Sequence, residues 1–251
     1  MFVRGYIHSA VWTYRHISGK LDVPELEFIG PFLSPDSVCL DVGANGGSWT
    51  RGLARLASHG HVFAFEALPY YANVLSNTMK LLRVRNVTIL NRAVAENDGV
   101  VRMIDRDSSG KWLIGKVHVA TEREVVHGNV SVPSVSLDSF WREIAEKRVD
   151  FVKCDIEGFE LYALRGATRL VERCRPLFYN ELNREWCERY NYLPQDVFDF
   201  FKRWGYSAYY IDLGKGLTAV DMPTHVNRDV LFVPDNRRIP AGFACDSTRQ
   251  L

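Results

Sequence analysis

The sequence predicts an α/β domain built round a mainly parallel sheet, and three observations carry the prediction. Short apolar runs rich in β-branched and aromatic residues recur at a spacing that leaves room for a helix between them. A glycine cluster, Gly43-Ala44-Asn45-Gly46-Gly47, stands between the first of these runs and the first helical segment that follows it. The 251 residues are enough for one sizeable core and fit one domain better than two.

Residues 1–35 read as an N-terminal helical cap, with a helix over 5–18 whose apolar and aromatic positions offer a surface for a homo-oligomer. Arg4, His8, Tyr14, Arg15 and His16 interrupt its apolar character, so a signal peptide is not expected. The main domain is expected over 36–234. Its strands are placed at 38–41 in "SVCLDVG", 61–65 in "HVFAFE", 87–90 in "NVTILN", 149–154 in "VDFVKCD" and 177–180 in "PLFYNEL". Helices are expected over 49–58, 71–82, 158–172 and 196–204, where apolar residues recur at helical spacing. Residues 96–132 break the rhythm. The turn signal "NDG" and the alternation in "VVRMI" and "KVHVA" predict a β-hairpin insertion. "YSAYYIDL" and "RDVLFVP" supply two further strands, and 235–251 form a tail.

A formal net charge of +1, from 31 basic and 30 acidic residues, gives no global field for nucleic acid or an anionic membrane. The short basic runs at Arg83-Val84-Arg85 and Asn236-Arg237-Arg238 read as solvated surface. Cys39, Cys154, Cys174, Cys187 and Cys245 contain no CxxC pair and are odd in number. A disulfide framework or structural zinc site is therefore not expected, and a reducing, cytoplasmic setting is. No segment approaches the ~20 apolar residues of a membrane span.

The glycine turn after the first strand suits a cofactor. It lacks the GK[ST] ending of a phosphate loop, and Asn45 stands where GxGxxG needs glycine. Asp41, at the strand end, would repel a pyrophosphate and attract an ammonium or sulfonium. Glu66, at the tip of the second strand, is placed to accept both ribose hydroxyls of an adenosine. Asn91 and Ala93, after the third strand, fall where an adenine would pack. These acids suggest an adenosyl ligand carrying positive charge, and S-adenosylmethionine fits.

At this point the chain resembles the FkbM-type methyltransferases over residues 36–234. The resemblance is carried in order by "CLDVGANGGSWT", "VFAFEALP", "ILNRAVAENDG", "VPSVSLDSF", "VDFVKCDIEGFELYALRGA" and "DVLFVP". It implies a class I methyltransferase Rossmann-like fold with a seven-stranded sheet, S-adenosylmethionine as cofactor, and hydroxyl acceptors on saccharides, glycoconjugates or small natural-product intermediates. It assigns Asp41, Gly43, Asn45 and Gly47 to the cofactor turn, Glu66 to the ribose, and Asp155, Glu157 and Gly158 to an acidic motif after the fourth strand.

An alcohol is a poor nucleophile and needs help to lose its proton. Asp155 is the first choice for a base, or else it holds the cofactor ammonium. Glu157 either orients a partner or caps the next helix. Glu181, at the tip of the fifth strand, is a candidate for binding acceptor hydroxyls. Lys153 falls on the same strand face as Asp155 and keeps it ionised, or serves as base with a lowered pKa. Glu160 reads as structural, facing solvent or the first helical turn. His118, His127 and His225 are alternative bases, each more simply a loop histidine, and His59 and His61 look structural. Asp155, Glu157 and Glu181 have the hard oxygens that magnesium or calcium prefers, but no spacing demands an ion, and metal-free chemistry is the expectation. Trp112, Trp186, Tyr190 and Tyr192 are candidates for stacking on a sugar face. The leading reading is an O-methyltransferase. The alternatives are an RNA methyltransferase, against the balanced charge, and a retired cofactor-binding module, against the kept acids.

Overall fold

The computed structural model describes residues 2–107, 109–111, 113, 116–121, 129–221, 227–240 and 243. In chain order its strands are β1 (Val38–Val42), β2 (His61–Phe65), β3 (Val87–Leu90), β4 (Ala93–Val94), β5 (Gly99–Ile104), β6 (His118–Val119), β7 (Asn129–Val135), β8 (Phe151–Cys154), β9 (Leu177–Asn183), β10 (Tyr206–Asp212), β11 (Gly216–Ala219) and β12 (Asn227–Pro234). Its α-helices are α1 (Phe2–Ile17), α2 (Leu26–Ile29), α3 (Ser48–Leu56), α4 (Pro69–Leu81), α5 (Leu137–Glu143), α6 (Glu160–Arg165), α7 (Thr168–Cys174), α8 (Arg184–Arg189) and α9 (Pro194–Arg203).

The main sheet has eight strands rather than the expected seven, in the order β11-β10-β12-β9-β8-β1-β2-β3. β3, β2, β1, β8 and β9 are parallel; β12, β10 and β11 join through antiparallel pairings, so the sheet is mixed. The additional strand is β11, whose four residues return along β10 after a short turn. Its sequence, "GLTA", is too short and too weakly patterned to announce a strand.

Alternation along each strand sends side chains to two cores. Leu40, Val42, Val152 and Phe178 pack with Phe140, Leu161, Leu164, Leu170 and Phe201 on one face. Cys39, Val62, Phe151 and Tyr179 pack with Ile29, Leu53 and Ala54 on the other. The doubly covered strands explain their near-continuous apolar sequences. The expected insertion contributes to a second sheet, ordered β4-β7-β5-β6, in which β5 pairs antiparallel with both β6 and β7 and β4 lies parallel to β7.

The single helix expected over 158–172 is two, because Asp138 reaches across to start the second. Its carboxylate accepts the backbone N–H of Leu170 at 2.8 Å and of Arg169 at 3.0 Å, and the hydroxyl of Thr168 at 3.3 Å. Cys39, Cys154 and Cys187 are buried thiols. No helix among the described residues is long and apolar enough to cross a membrane.

Candidate active site

The parallel strands bring Val42, Glu66, Asp155 and Glu181 to one sheet edge, where a cavity of about 290 Å³ opens. Its walls include Gly43, Asn45, Phe65, Glu66 and Tyr71 on one side, and Asp155, Glu157, Phe159 and Glu181 on the other. Ala93, Val94, Met103, Val117 and Val119 of the second sheet and its flank close it.

The glycine turn forms one wall because its backbone is pinned to β2. Gly43 and Ala44 donate to the carbonyl of Phe65 at 3.1 and 2.9 Å. Gly43 has φ +80°, and a Cβ on it would lie 1.9 Å from the carbonyl oxygen of Asp155. Only glycine lets β1 and β8 end this close together. Asn45, also left-handed at φ 44°, donates its N–H to Glu66 Oε2 at 3.0 Å, while Leu68 donates to Glu66 Oε1 at 3.0 Å. Burial raises the Glu66 carboxyl to about 7 against the pull of these two N–H groups. Each oxygen keeps further acceptor capacity, and the residue lines the cavity.

Asn91 and Gly47 do not line the cavity. The Asn91 amide donates to the carbonyls of Glu66 and Ala67 at 2.9 and 2.7 Å, which fixes the β2 tip, and Gly47 sits at the start of α3. Ala93 is on the wall, as is Arg92, whose guanidinium is held by Glu143 at 2.7 Å.

The opposite wall is organised by Lys153. The residue is 4% exposed, and its ammonium lies 3.1 Å from Asp155, 3.9 Å from Asp41 and 2.9 Å from the carbonyl of Gly43. Burial works against the ammonium, but Asp155 and Asp41 outweigh it and its pKa is raised. The lysine-base alternative is thereby corrected, since that role needs a lowered pKa. Asp41 does not line the cavity either. Fully buried, it accepts the Thr50 hydroxyl at 2.5 Å, and its other oxygen has only the distant Lys153. It sits beneath the floor as a counter-ion.

Burial alone would push Asp155 upward, but Lys153 prevails, and with a hydrogen bond from Glu181 it holds the carboxyl below its usual range. Glu181 takes the opposite course. Burial, then the Asp155 charge, raises it to about 9, so it carries the proton of the pair at neutral pH. Glu157 is pushed up to about 7 by burial first, then by Asp155 and Glu160. Oxygens of Asp155, Glu157 and Glu181 all lie within 4.8 Å of one another. Asp229, opposite Glu181 on β12, joins this acidic edge. Its carboxyl is raised to about 6 by burial of the carboxyl first and then by the Asp155 charge, although the residue as a whole is exposed. Sequence reading missed it because the pairing of β12 with β9 joins residues far apart in the chain.

Glu160 corrects the expectation of a solvent-facing acid. It is 1% exposed, accepts the N–H of Ile156 at 2.9 Å and of Gly158 at 3.2 Å, and lies 3.2 Å from the Tyr192 hydroxyl oxygen. It fastens the turn in which Glu157 and Gly158 are both left-handed, at φ 56° and 91°. A Cβ on Gly158 would come within 2.6 Å of the Trp186 carbonyl. Glu157 is aimed into the cavity by this turn, with no capping role.

His118 is buried away from the cavity, bonded to the Lys116 carbonyl at 2.9 Å and to Arg189. Tyr190 and Tyr192 are core residues whose hydroxyls donate to Val119 and Gly158 carbonyls at 2.6 and 2.8 Å, and Trp186 is not on the wall. The aromatic rings that do line it are Phe65, Tyr71 and Phe159. Trp112, His127 and His225 lie outside the described residues.

Residues 41–208 match the family model described as the Methyltransferase FkbM domain. The chain is 27% identical over 161 residues to the 2-O-methyltransferase NoeI of Sinorhizobium fredii, covering 60% of this chain and 65% of that protein. In fold it is similar to the methyltransferase FkbM of Methylobacillus flagellatus, with a TM-score of 0.50 and 16% identity, covering 80% of this chain and 44% of the other. The match thus spans less than two thirds of either relative. With two thirds of its length on the family model, the chain belongs to the methyltransferase FkbM domain family.

Proposed function

We propose that this protein is an S-adenosylmethionine-dependent O-methyltransferase acting on a hydroxyl of a saccharide, glycoconjugate or small natural-product intermediate. One observation carries the reading: a glycine turn with Glu66 and a cluster of carboxyls around a buried lysine share one cavity. The residues fit the cofactor. Gly43 leaves the turn without a side chain, the Glu66 carboxyl faces the cavity as a ribose acceptor would, and the acidic edge favours a cationic ligand. When bound, the cofactor supplies a methyl group on a sulfonium.

The chain's own residues then have separate tasks. Lys153 fixes Asp155 as a carboxylate, and Glu181 shares the proton that would otherwise separate the pair. Ionised Asp155 accepts the hydrogen bond of the acceptor hydroxyl and orients its oxygen, which is much of the work in a displacement. A carboxyl held low is a weak proton acceptor, whereas Glu157, at about 7, is matched to neutral pH and takes the proton. The relationship to an enzyme named as a 2-O-methyltransferase supports a hydroxyl acceptor.

The test is transfer of labelled methyl from S-adenosylmethionine to a panel of oligosaccharides, small alcohols and RNA, beside calorimetric titration of the cofactor. Transfer to a saccharide or alcohol is the expected result. Transfer to RNA alone would overturn the acceptor class. Absence of cofactor binding would overturn the reading altogether.

A further inference from the structure

Helix α1 is turned inside out. Its buried side carries polar groups: Ser9, fully buried, donates its hydroxyl to the carbonyl of Val74 at 3.3 Å, and His16, 2% exposed, bonds the carbonyl of Gly46 at 2.9 Å. Its outward side carries apolar ones. Ile17 is 70% exposed, Tyr6 64%, Tyr14 62%, Ile7 61% and Val11 48%. At 100° per residue these five and Ala10 fall in one arc of roughly 140°. Leu81, Val100, Leu193 and Leu213 are the other large apolar side chains exposed among the described residues, and each stands on a different element or turn. A helix serving only to cap a soluble domain would show the opposite pattern.

The charge around the arc selects its partner. Residues 1–21 contain Arg4, Arg15 and Lys20 and no Asp or Glu, in a chain whose total is +1. Arg15 lies over the Trp12 ring at 4.8 Å, and the Lys20 ammonium over the Tyr14 ring at 5.7 Å, so both cations flank apolar aromatic surface. We propose that α1 docks on an anionic lipid bilayer, lying in the interface with the Tyr6–Ile7–Val11–Tyr14–Ile17 arc against the acyl boundary and its cations at the headgroups. A second copy of the chain fits less well, because pairing two such helices would bring like charges together with no acid on the helix to offset them. The side of the helix next to the docked arc reaches toward the cavity wall. His8 bonds Tyr70 at 3.2 Å, and the next residue of α4, Tyr71, lines the cavity. This inference does not rest on the methyl-transfer reading.

The test is sedimentation of the full chain with vesicles of phosphatidylcholine containing phosphatidylglycerol, against vesicles of phosphatidylcholine alone. Arg15 and Lys20 near the surface should favour the anionic vesicles by about thirtyfold at low salt, a preference that shrinks as salt is added. The pair Ile7→Asp with Ile17→Asp should lower binding more than about tenfold with circular dichroism and Tm unchanged. Should that pair fail to fold, Lys20→Glu, beyond the helix end, should still reduce binding to the anionic vesicles by about tenfold and leave phosphatidylcholine binding as it was. Equal binding of wild type to both vesicle types, or undiminished binding by these variants, would overturn the proposal. So would a wild-type dimer in sedimentation velocity that Ile7→Asp with Ile17→Asp converts to monomer, without vesicle binding; that result would give the face to a second copy.

Discussion

Lys153 decides what each acid of the site can do. Because its ammonium is within 3.1 Å of Asp155, the negative charge settles there, and Glu157 and Glu181 are left with raised pKa values of about 7 and about 9. If Glu157 must be ionised to take the acceptor proton, kcat should rise between about pH 6 and pH 8 with a midpoint set by Glu157. Glu157→Gln should remove that limb and lower kcat by about 100-fold or more. Asp155→Asn removes a like charge from beside Glu157, so its residual activity should show the limb shifted toward acid. A pH–rate profile in which Glu157→Gln keeps the wild-type limb would remove Glu157 from the base role. Gly43 offers a structural counterpart. Gly43→Ala combines a left-handed residue with a Cβ driven at the Asp155 carbonyl, and should cost about 3 kcal/mol or more in a denaturant melt. A loss below about 1 kcal/mol would mean that the two strand tips are free to part. At this scale the period of a strand was enough to put Lys153 and Asp155 on one side. It could not say how deep each carboxyl lies. Asp41 reads as a strand-tip acid and is sealed under the floor by Thr50 and Lys153, and Glu160 is buried by Tyr192, 32 residues further on.

At the scale of elements, local signals were legible and pairings between distant segments were not. The alternation in "VVRMI" predicts β5, and the strand-then-glycine order predicts the turn between β1 and α3, since both depend on neighbours in sequence. The break between α6 and α7 depends instead on Asp138, about 30 residues earlier, whose carboxylate supplies partners for three donors at the start of α7. Asp138→Ala should therefore destabilise the protein by about 2 kcal/mol, with Asp138→Asn recovering part of the loss through its one remaining carbonyl. An Asp138→Ala protein that melts like wild type would show that water serves those donors equally well. The extra strand β11 and the parallel pairing of β4 with β7 belong to the same category. Neither two nor four residues carry a readable period, and their positions are set by the strands they join.

At the scale of the whole molecule, nearly balanced charge conceals a local excess of acid. Glu66 and Glu160, both buried, are raised to about 7 from 4.5, with Glu157 and Glu181 raised beside them. A carboxyl whose pKa is raised by folding binds more protons in the folded than in the unfolded state. Its contribution to stability is fully present below the unfolded value and is lost as pH rises through the folded one. Asp155 runs the other way, but its window lies below 3.8, outside the range in question, and Lys153 matters only above 10.5. The ligand-free protein should thus lose stability from about pH 5 to about pH 8. Glu66 and Glu160, the most deeply buried, carry most of that loss, and His8, His16 and His61, whose pKa values burial lowers, offset part of it. A cation bound at the acidic edge lowers the same pKa values, so S-adenosylmethionine should stabilise the protein more at the higher pH and release protons as it binds. Calorimetric titration near neutral pH in two buffers of different ionisation enthalpy reads that release directly. A Tm that is flat or rising over the interval would show that these carboxyls are already ionised in the fold. Binding heats that do not depend on the buffer would show that the cation sits elsewhere than beside them.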